Sequence, residues 1–198
     1  IEGFVTFPVG FEVGIRYPTL LRIHGGPVSQ YRHSFNFEAQ LFAANGYLVV
    51  QTNPRGSSGY GQDFSSDLWA EWGVRDYEDV VAGVDYTIEQ GWSDPNRLGV
   101  GGWSYGGILT DHVITQTDRF SGAITGASEF LYIANYGHDH YQLQWEKELG
   151  LPWEGNNREN WEAISPFNKV DRIKTPTLVM GGEKDWNVPI QNGEQIYQ

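Results

Sequence analysis

Gly102-Trp103-Ser104-Tyr105-Gly106 places a serine between glycines that lie two before and two after it. The run stands between an apolar stretch (Leu98-Gly99-Val100) and an amphipathic one (Ile108, Leu109, Val113), so it reads as strand, sharp turn, helix. Such a turn strains the serine backbone, and small residues two positions away avoid collision. The hydroxyl then projects at the sheet edge, at the positive end of the following helix, where it serves as a nucleophile. The backbone N–H of Tyr105 becomes a donor to the oxyanion that forms when a carbonyl is attacked. Upstream, His24-Gly25-Gly26-Pro27 follows an apolar strand. Its glycine pair lets backbone N–H groups turn toward the same oxygen, although alone it is equally well a plain strand–helix turn.

Where a serine stands on such a turn, an acid and then a histidine follow it in the chain. Asp185 comes after the apolar run Thr177–Met180 through Gly181-Gly182-Glu183-Lys184. An aspartate there holds the histidine's tautomer and stabilises its imidazolium. Glu183 is the competing carboxylate, and capping of the next helix is the other role open to Asp185. No histidine follows Asp185: His24, His33, His112, His138 and His140 all precede it. Either the sequence stops before the catalytic histidine, or an upstream one serves through another topology. The cut across the last helix after Tyr197 favours the first. His138-Asp139-His140 offers two ring ligands at i, i+2 and no evident third, so no metal site is expected. Tyr132, Tyr136, Tyr141, Trp145, Trp153 and Trp161 either line an apolar pocket or fix their segment to the rest of the fold.

The elements that must position these residues alternate. Strands are predicted over 19–24, 47–50, 97–103, 120–126 and 177–180. Helices are predicted over 35–45 (Phe37, Leu41 and Phe42 on one face), 76–90 and 105–117, and from 190 onward. Asn53 to Gly61 is turn chemistry throughout. Alternating strand and helix favours a parallel sheet covered on both faces, an α/β fold. Residues 128–166 break the alternation and read as a mostly helical, aromatic-rich excursion over the carboxyl edge of the sheet, where ligands bind.

Composition narrows the function. Thirteen Lys and Arg against 25 Asp and Glu leave a net charge of −12 in 198 residues, which opposes binding to nucleic acid or to anionic membrane surfaces. There is no cysteine, hence no disulfide, thiolate metal site or cysteine nucleophile. No apolar run reaches the ~18 residues that read as a membrane span. The compartment, cytoplasm or periplasm, stays open. The 25 glycines point to many tight turns.

The runs IHGGPVSQ (23–30), NPRGSSGYGQDF (53–64), EWGVRDYEDV (71–80), GGWSYGG (101–107) and SPFNKVDRIKTPTLVMGGEKDWNVP (165–189) together resemble the catalytic domain of the prolyl oligopeptidase family of serine peptidases. The resemblance is strongest to its dipeptidyl-peptidase and acylaminoacyl-peptidase branches. It implies an α/β-hydrolase fold, with residues 1–198 forming part of that domain and lacking its C-terminal and first N-terminal elements. It implies that Ser104 is the nucleophile, Asp185 the triad acid, and the Tyr105 and Gly26 N–H groups the oxyanion donors. Asn187 matches a residue that grips a substrate carbonyl. Tyr132 and Tyr136 fall near the aromatic wall for the residue before the scissile bond, and Trp103 joins them as substrate-binding. The resemblance further implies short peptide substrates, no cofactor, a β-propeller in the intact protein, a catalytic histidine beyond residue 198, and little turnover by the 198 residues alone. A carboxylesterase of the same fold and a non-catalytic interaction domain on this scaffold are the alternatives.

Overall fold

The computed structural model describes residues 1–198. Six strands form one sheet: β1 (Glu2–Thr6), β2 (Tyr17–Ile23), β3 (Leu48–Asn53), β4 (Ser93–Trp103), β5 (Gly122–Gly126) and β6 (Thr177–Met180), in the order β1-β3-β2-β4-β5-β6. Only β1 runs antiparallel, against β3; the other neighbours are parallel. The helices between them are α1 (Phe37–Ala44), α2 (Gln62–Ser66), α3 (Arg75–Glu89), α4 (Tyr105–Gln116), α5 (Tyr132–Asn135), α6 (Gln142–Leu149), α7 (Asn157–Ala163) and α8 (Gln191–Tyr197), with a 3-10 segment over Pro166–Arg172. This is an α/β-hydrolase sheet with helices on both faces. From β2 the chain first moves to β3 on one side, then crosses back to β4 and onward to β6. The carboxyl ends of β2 and β4 therefore flank the point where strand order reverses, the place where open α/β sheets bind ligands.

One face of the sheet is apolar and covered. Leu21, Ile23, Leu48, Val50, Leu98 and Val100 are all buried, and they lie under α3 and α4. Gly83 lets α3 approach β3, because a Cβ there would stand 2.4 Å from Thr52 Cγ2. On the opposite face α1 packs by Ala39 and Ala43, capped by the Asn36 side chain, which accepts from the Ala39 N–H at 2.9 Å. This corrects the expected orientation of α1. Phe37 is 69% exposed and Leu41 49% exposed, so the small residues, not the large ones, set the close approach. Beyond α1 on this face, Leu20, Arg22, Ile124 and Leu178 border an open groove of about 570 Å³.

Other boundaries also differ from expectation. β1 and α2 were not foreseen. β4 begins at Ser93, which pairs with Tyr17, and the register then shifts so that Leu98 faces Thr19. Pro95 sits in that irregular stretch, where no ladder N–H is needed. The excursion between β5 and β6 is helical, as α5, α6 and α7, and Trp161, Trp145 and Leu149 bury it against the main core.

Candidate active site

Ser104 is the hinge between β4 and α4. Its backbone takes φ +59°, ψ −126°, a conformation costing on the order of 1–3 kcal/mol for a residue with a Cβ. Packing holds it there. The Ser104 N–H donates to Gly126 O at 2.8 Å, and its own carbonyl accepts from Gly107 and Ile108 at 2.8 and 3.0 Å. Backbone crowds the glycines around it. A Cβ on Gly102 would lie 2.5 Å from the Gly106 carbonyl, one on Gly106 2.2 Å from Ile23 O, and one on Gly107 2.4 Å from Gly126 O. Three glycines thus let α4 begin directly on the sheet, with its first N–H groups lacking intrahelical partners at the serine.

The glycine pair after β2 closes onto this turn. A Cβ on Gly25 would come 3.2 Å from Trp103 O and 3.6 Å from Ser104 Cβ, and Gly26 has φ +142°. His24 ties the loop down. Its Nδ1 lies 2.8 Å from Gly25 O, and its Nε2 3.1 Å from Ser57 Oγ, whose hydroxyl donates to Pro54 O at 2.6 Å. Burial lowers the pKa of His24. The Asn53–Gly61 turn is in turn anchored by Arg55, whose Nε and Nη2 donate to the Asp79 carboxylate at 2.8 and 2.9 Å. His112 is buried in α4 and its pKa falls to about 3. No histidine side chain hydrogen-bonds Ser104 in residues 1–198.

Tyr105 divides its roles. Its backbone opens α4, while its ring is buried and its hydroxyl donates to Asp76 Oδ2 at 2.8 Å. Burial pushes the Asp76 carboxyl up to about 6, against the lowering effect of that hydrogen bond. Asp185 sits in the turn after β6, half-buried, whereas Glu183 is exposed. The N–H groups of Asn187 and Val188 donate to Asp185 Oδ1 at 2.8 and 3.0 Å, and no protein donor reaches Oδ2. Asn187 therefore contributes its backbone to the carboxylate's seat.

A cavity of about 60 Å³ opens at Ser104. Gly26 and Pro27 form one wall with Tyr105, and Val188 brings in the Asp185 turn. Trp72, Ile108, Tyr141, Gln144 and Trp145 form the other wall, with Glu129 among them. Glu148 fixes Trp72, accepting its Nε1–H at 2.7 Å and the Ala70 N–H at 2.9 Å. Three residues expected at the substrate lie elsewhere. Tyr132 is wholly buried, with its ring 5.0 Å from Trp145 and 6.4 Å from Trp72, so it supports the wall from behind. Tyr136 packs edge-to-face against Trp153 and Trp161 and donates to Glu146. Trp103 is 50% exposed and covers Gly126 on the outer side of the turn. Trp72 and Glu129 had not been singled out from the sequence. The indole of Trp72 lies in a run marked only as resembling a family, and nothing around Glu129 signals a site.

The sequence pattern of the prolyl oligopeptidase family matches residues 33–198. The chain belongs to the prolyl oligopeptidase family. Among curated relatives, an uncharacterized peptidase, YuxL, of Bacillus subtilis is 38% identical over all of this chain and 30% of its own length. The acylamino-acid-releasing enzyme of Arabidopsis thaliana is 34% identical over 90% of this chain and 24% of its own. The acylaminoacyl peptidase of Pyrococcus horikoshii superposes with a TM-score of 0.89 at 30% identity, covering 98% of this chain and 32% of that one. The chain thus spans about a third or less of the length of these relatives. The prolyl oligopeptidase family contains peptidases, and the Pyrococcus horikoshii enzyme shares the overall fold of this chain.

Proposed function

We propose that these residues form the nucleophile-bearing part of a serine peptidase that cleaves short peptides, including acylated or dipeptidyl N-termini. Ser104 attacks the carbonyl carbon. A histidine supplied by the protein outside residues 1–198 takes the hydroxyl proton and later gives it to the leaving amine. Asp185 Oδ2 accepts the Nδ1–H of that histidine and favours its imidazolium. The N–H groups of Tyr105 and Gly26 donate to the oxyanion, and water then hydrolyses the acyl-enzyme. No metal or organic cofactor enters the scheme. The protein's remaining length holds at least one further domain, a β-propeller in this reading, that limits substrate size.

The observation that carries the proposal is the strained Ser104 at the β4–α4 turn, faced by the Gly25-Gly26 loop and sharing a cavity with the Asp185 turn. The names of the relatives, an acylamino-acid-releasing enzyme and an acylaminoacyl peptidase, support the choice of substrate. Full-length protein assayed on acetyl-aminoacyl and dipeptidyl anilides beside p-nitrophenyl acetate tests it. Amide turnover that disappears in Ser104→Ala is expected; ester turnover without amide turnover would make the protein an esterase instead.

A further inference from the structure

Glu129 is the one charged side chain lining the cavity beside Ser104, where its neighbours include Trp72, Tyr141, Gln144 and Trp145. Glu129 is 1% exposed and lines that cavity. Counted as a carboxylate, its Oε2 has no donor to bind. The acid beside it is Asp139, whose charge disfavours ionisation of Glu129. Two neighbouring carboxyls of this kind resist ionising together. Asp139 is itself oriented, accepting the Tyr141 N–H at 2.8 Å and the Trp145 Nε1–H at 3.2 Å. Burial and the Asp139 charge raise the Glu129 pKa well above the usual carboxylate range.

No lysine or arginine compensates these groups; the positive charge acting on Asp139 is that of His140. Asp76, Asp111, Glu129 and Glu148 are all buried around the nucleophile turn, and none of them, nor Asp139, takes part in an ion pair with Lys or Arg. Trp72, Tyr141 and Trp145 add aromatic rings to the same wall, and ring faces attract cations. A buried acid left without a counter-ion, in an aromatic cavity open at the nucleophile, is complementary to a positive group arriving with the substrate.

We propose that Glu129, backed by Asp139, is a specificity-determining residue that receives an ammonium group on the acyl part of the substrate. The inference rests on the serine-peptidase reading of Ser104. The cavity's 60 Å³ holds a few times the ~10–15 Å³ that a water needs, enough for an ammonium head and not for a bulky ring. The ammonium comes either from a lysine side chain before the scissile bond or from the free α-amine of that residue. In both cases the ammonium takes the place of the proton that keeps Glu129 neutral, and that proton passes to solvent.

The test uses the full-length protein, after a fluorophosphonate probe has established that Ser104 reacts. Failure to label sinks the peptidase reading itself, before selectivity is measured. Two comparisons then follow. Nα-acetyl-lysine anilide is set against Nα-acetyl-norleucine anilide, which has a similar chain without the charge. Unblocked norleucine anilide is set against its acetylated form. At least one cationic substrate is expected to be preferred in kcat/KM by roughly 10- to 100-fold, the range of a charge-assisted hydrogen bond. Which pair shows the preference identifies the amine. In Glu129→Gln the preferred pair is expected to approach equality. Equal rates within both pairs for the wild-type protein would overturn the proposal whether or not the variant folds. A preference unchanged in a Glu129→Gln protein that still labels at Ser104 would overturn it too.

Discussion

Gly106→Ala is the sharpest perturbation of the nucleophile turn. The new methyl carbon would stand 2.2 Å from Ile23 O, 2.9 Å from Ile23 C and 3.0 Å from His24 O. All three are backbone atoms of β2 and its glycine loop, so no rotamer change relieves them. Restoring an ordinary 3.4 Å contact requires α4 and the end of β2 to separate by about 1.2 Å. That movement falls between the two proposed oxyanion donors, since Tyr105 opens α4 and Gly26 follows β2. Misplacement by about 1 Å costs on the order of 100-fold in rate, and loss of one oxyanion donor roughly 100- to 1,000-fold. The expected result is a fall of at least about 100-fold in kcat with KM changed much less, because the donors act on the transition state. Overpacking should also cost about 1–3 kcal/mol of stability. Initial rates on a peptidyl anilide and urea unfolding, both with full-length protein, measure the two effects. A Gly106→Ala protein that keeps kcat within twofold would refute the crowding argument and the oxyanion geometry built on it.

Other outcomes follow from buried polar groups. Asp111 has no exposure and its pKa is pushed up to about 7. Between its unfolded value near 4 and about 7 the native state holds more protons than the unfolded one, so stability falls as pH rises through that window. Asp111→Asn should therefore remove about 2–3 kcal/mol of the wild-type loss between pH 5 and pH 8, read from urea midpoints; equal pH slopes in the two proteins would contradict this. Tyr105→Phe leaves the buried Asp76 carboxyl without its phenol partner and should destabilise the protein by about 1–3 kcal/mol, as measured by the same unfolding curves. Glu148→Ala releases the Trp72 indole and the Ala70 N–H together. It should raise KM more than it lowers kcat, because Trp72 shapes the cavity and gives nothing to the reacting atoms.

Much of the arrangement was legible because it depends on glycine and on strand–helix alternation. Gly102, Gly106 and Gly107 are demanded by backbone contacts under 3 Å, and a residue that only glycine can replace leaves a mark in the sequence. The loop at Gly25-Gly26 shows the same demand at Gly26, which has φ +142°, whereas the turn bearing Asp185 was marked by its place after an apolar run. Side-chain direction was less legible. Helix α1 presents two alanines to the sheet and its larger residues to solvent, which hydrophobicity alone ranks the other way. Tyr132 looked like a pocket residue, yet its place one layer behind Trp72 and Trp145 depends on how a short helix docks. Glu129 carried no signal, since the Ser128-Glu129-Phe130 stretch has no spacing or turn chemistry to mark it. Its meaning arises only from the Asp139 side chain folded against it.

The central claim, that Ser104 is an activated nucleophile, is tested most directly by labelling the full-length protein with a fluorophosphonate and mapping the adduct by peptide mass. A single adduct on the peptide containing Ser104, lost in Ser104→Ala together with amide hydrolysis, is the predicted result. Amide hydrolysis that persists in Ser104→Ala, or an adduct on a different serine, would contradict it.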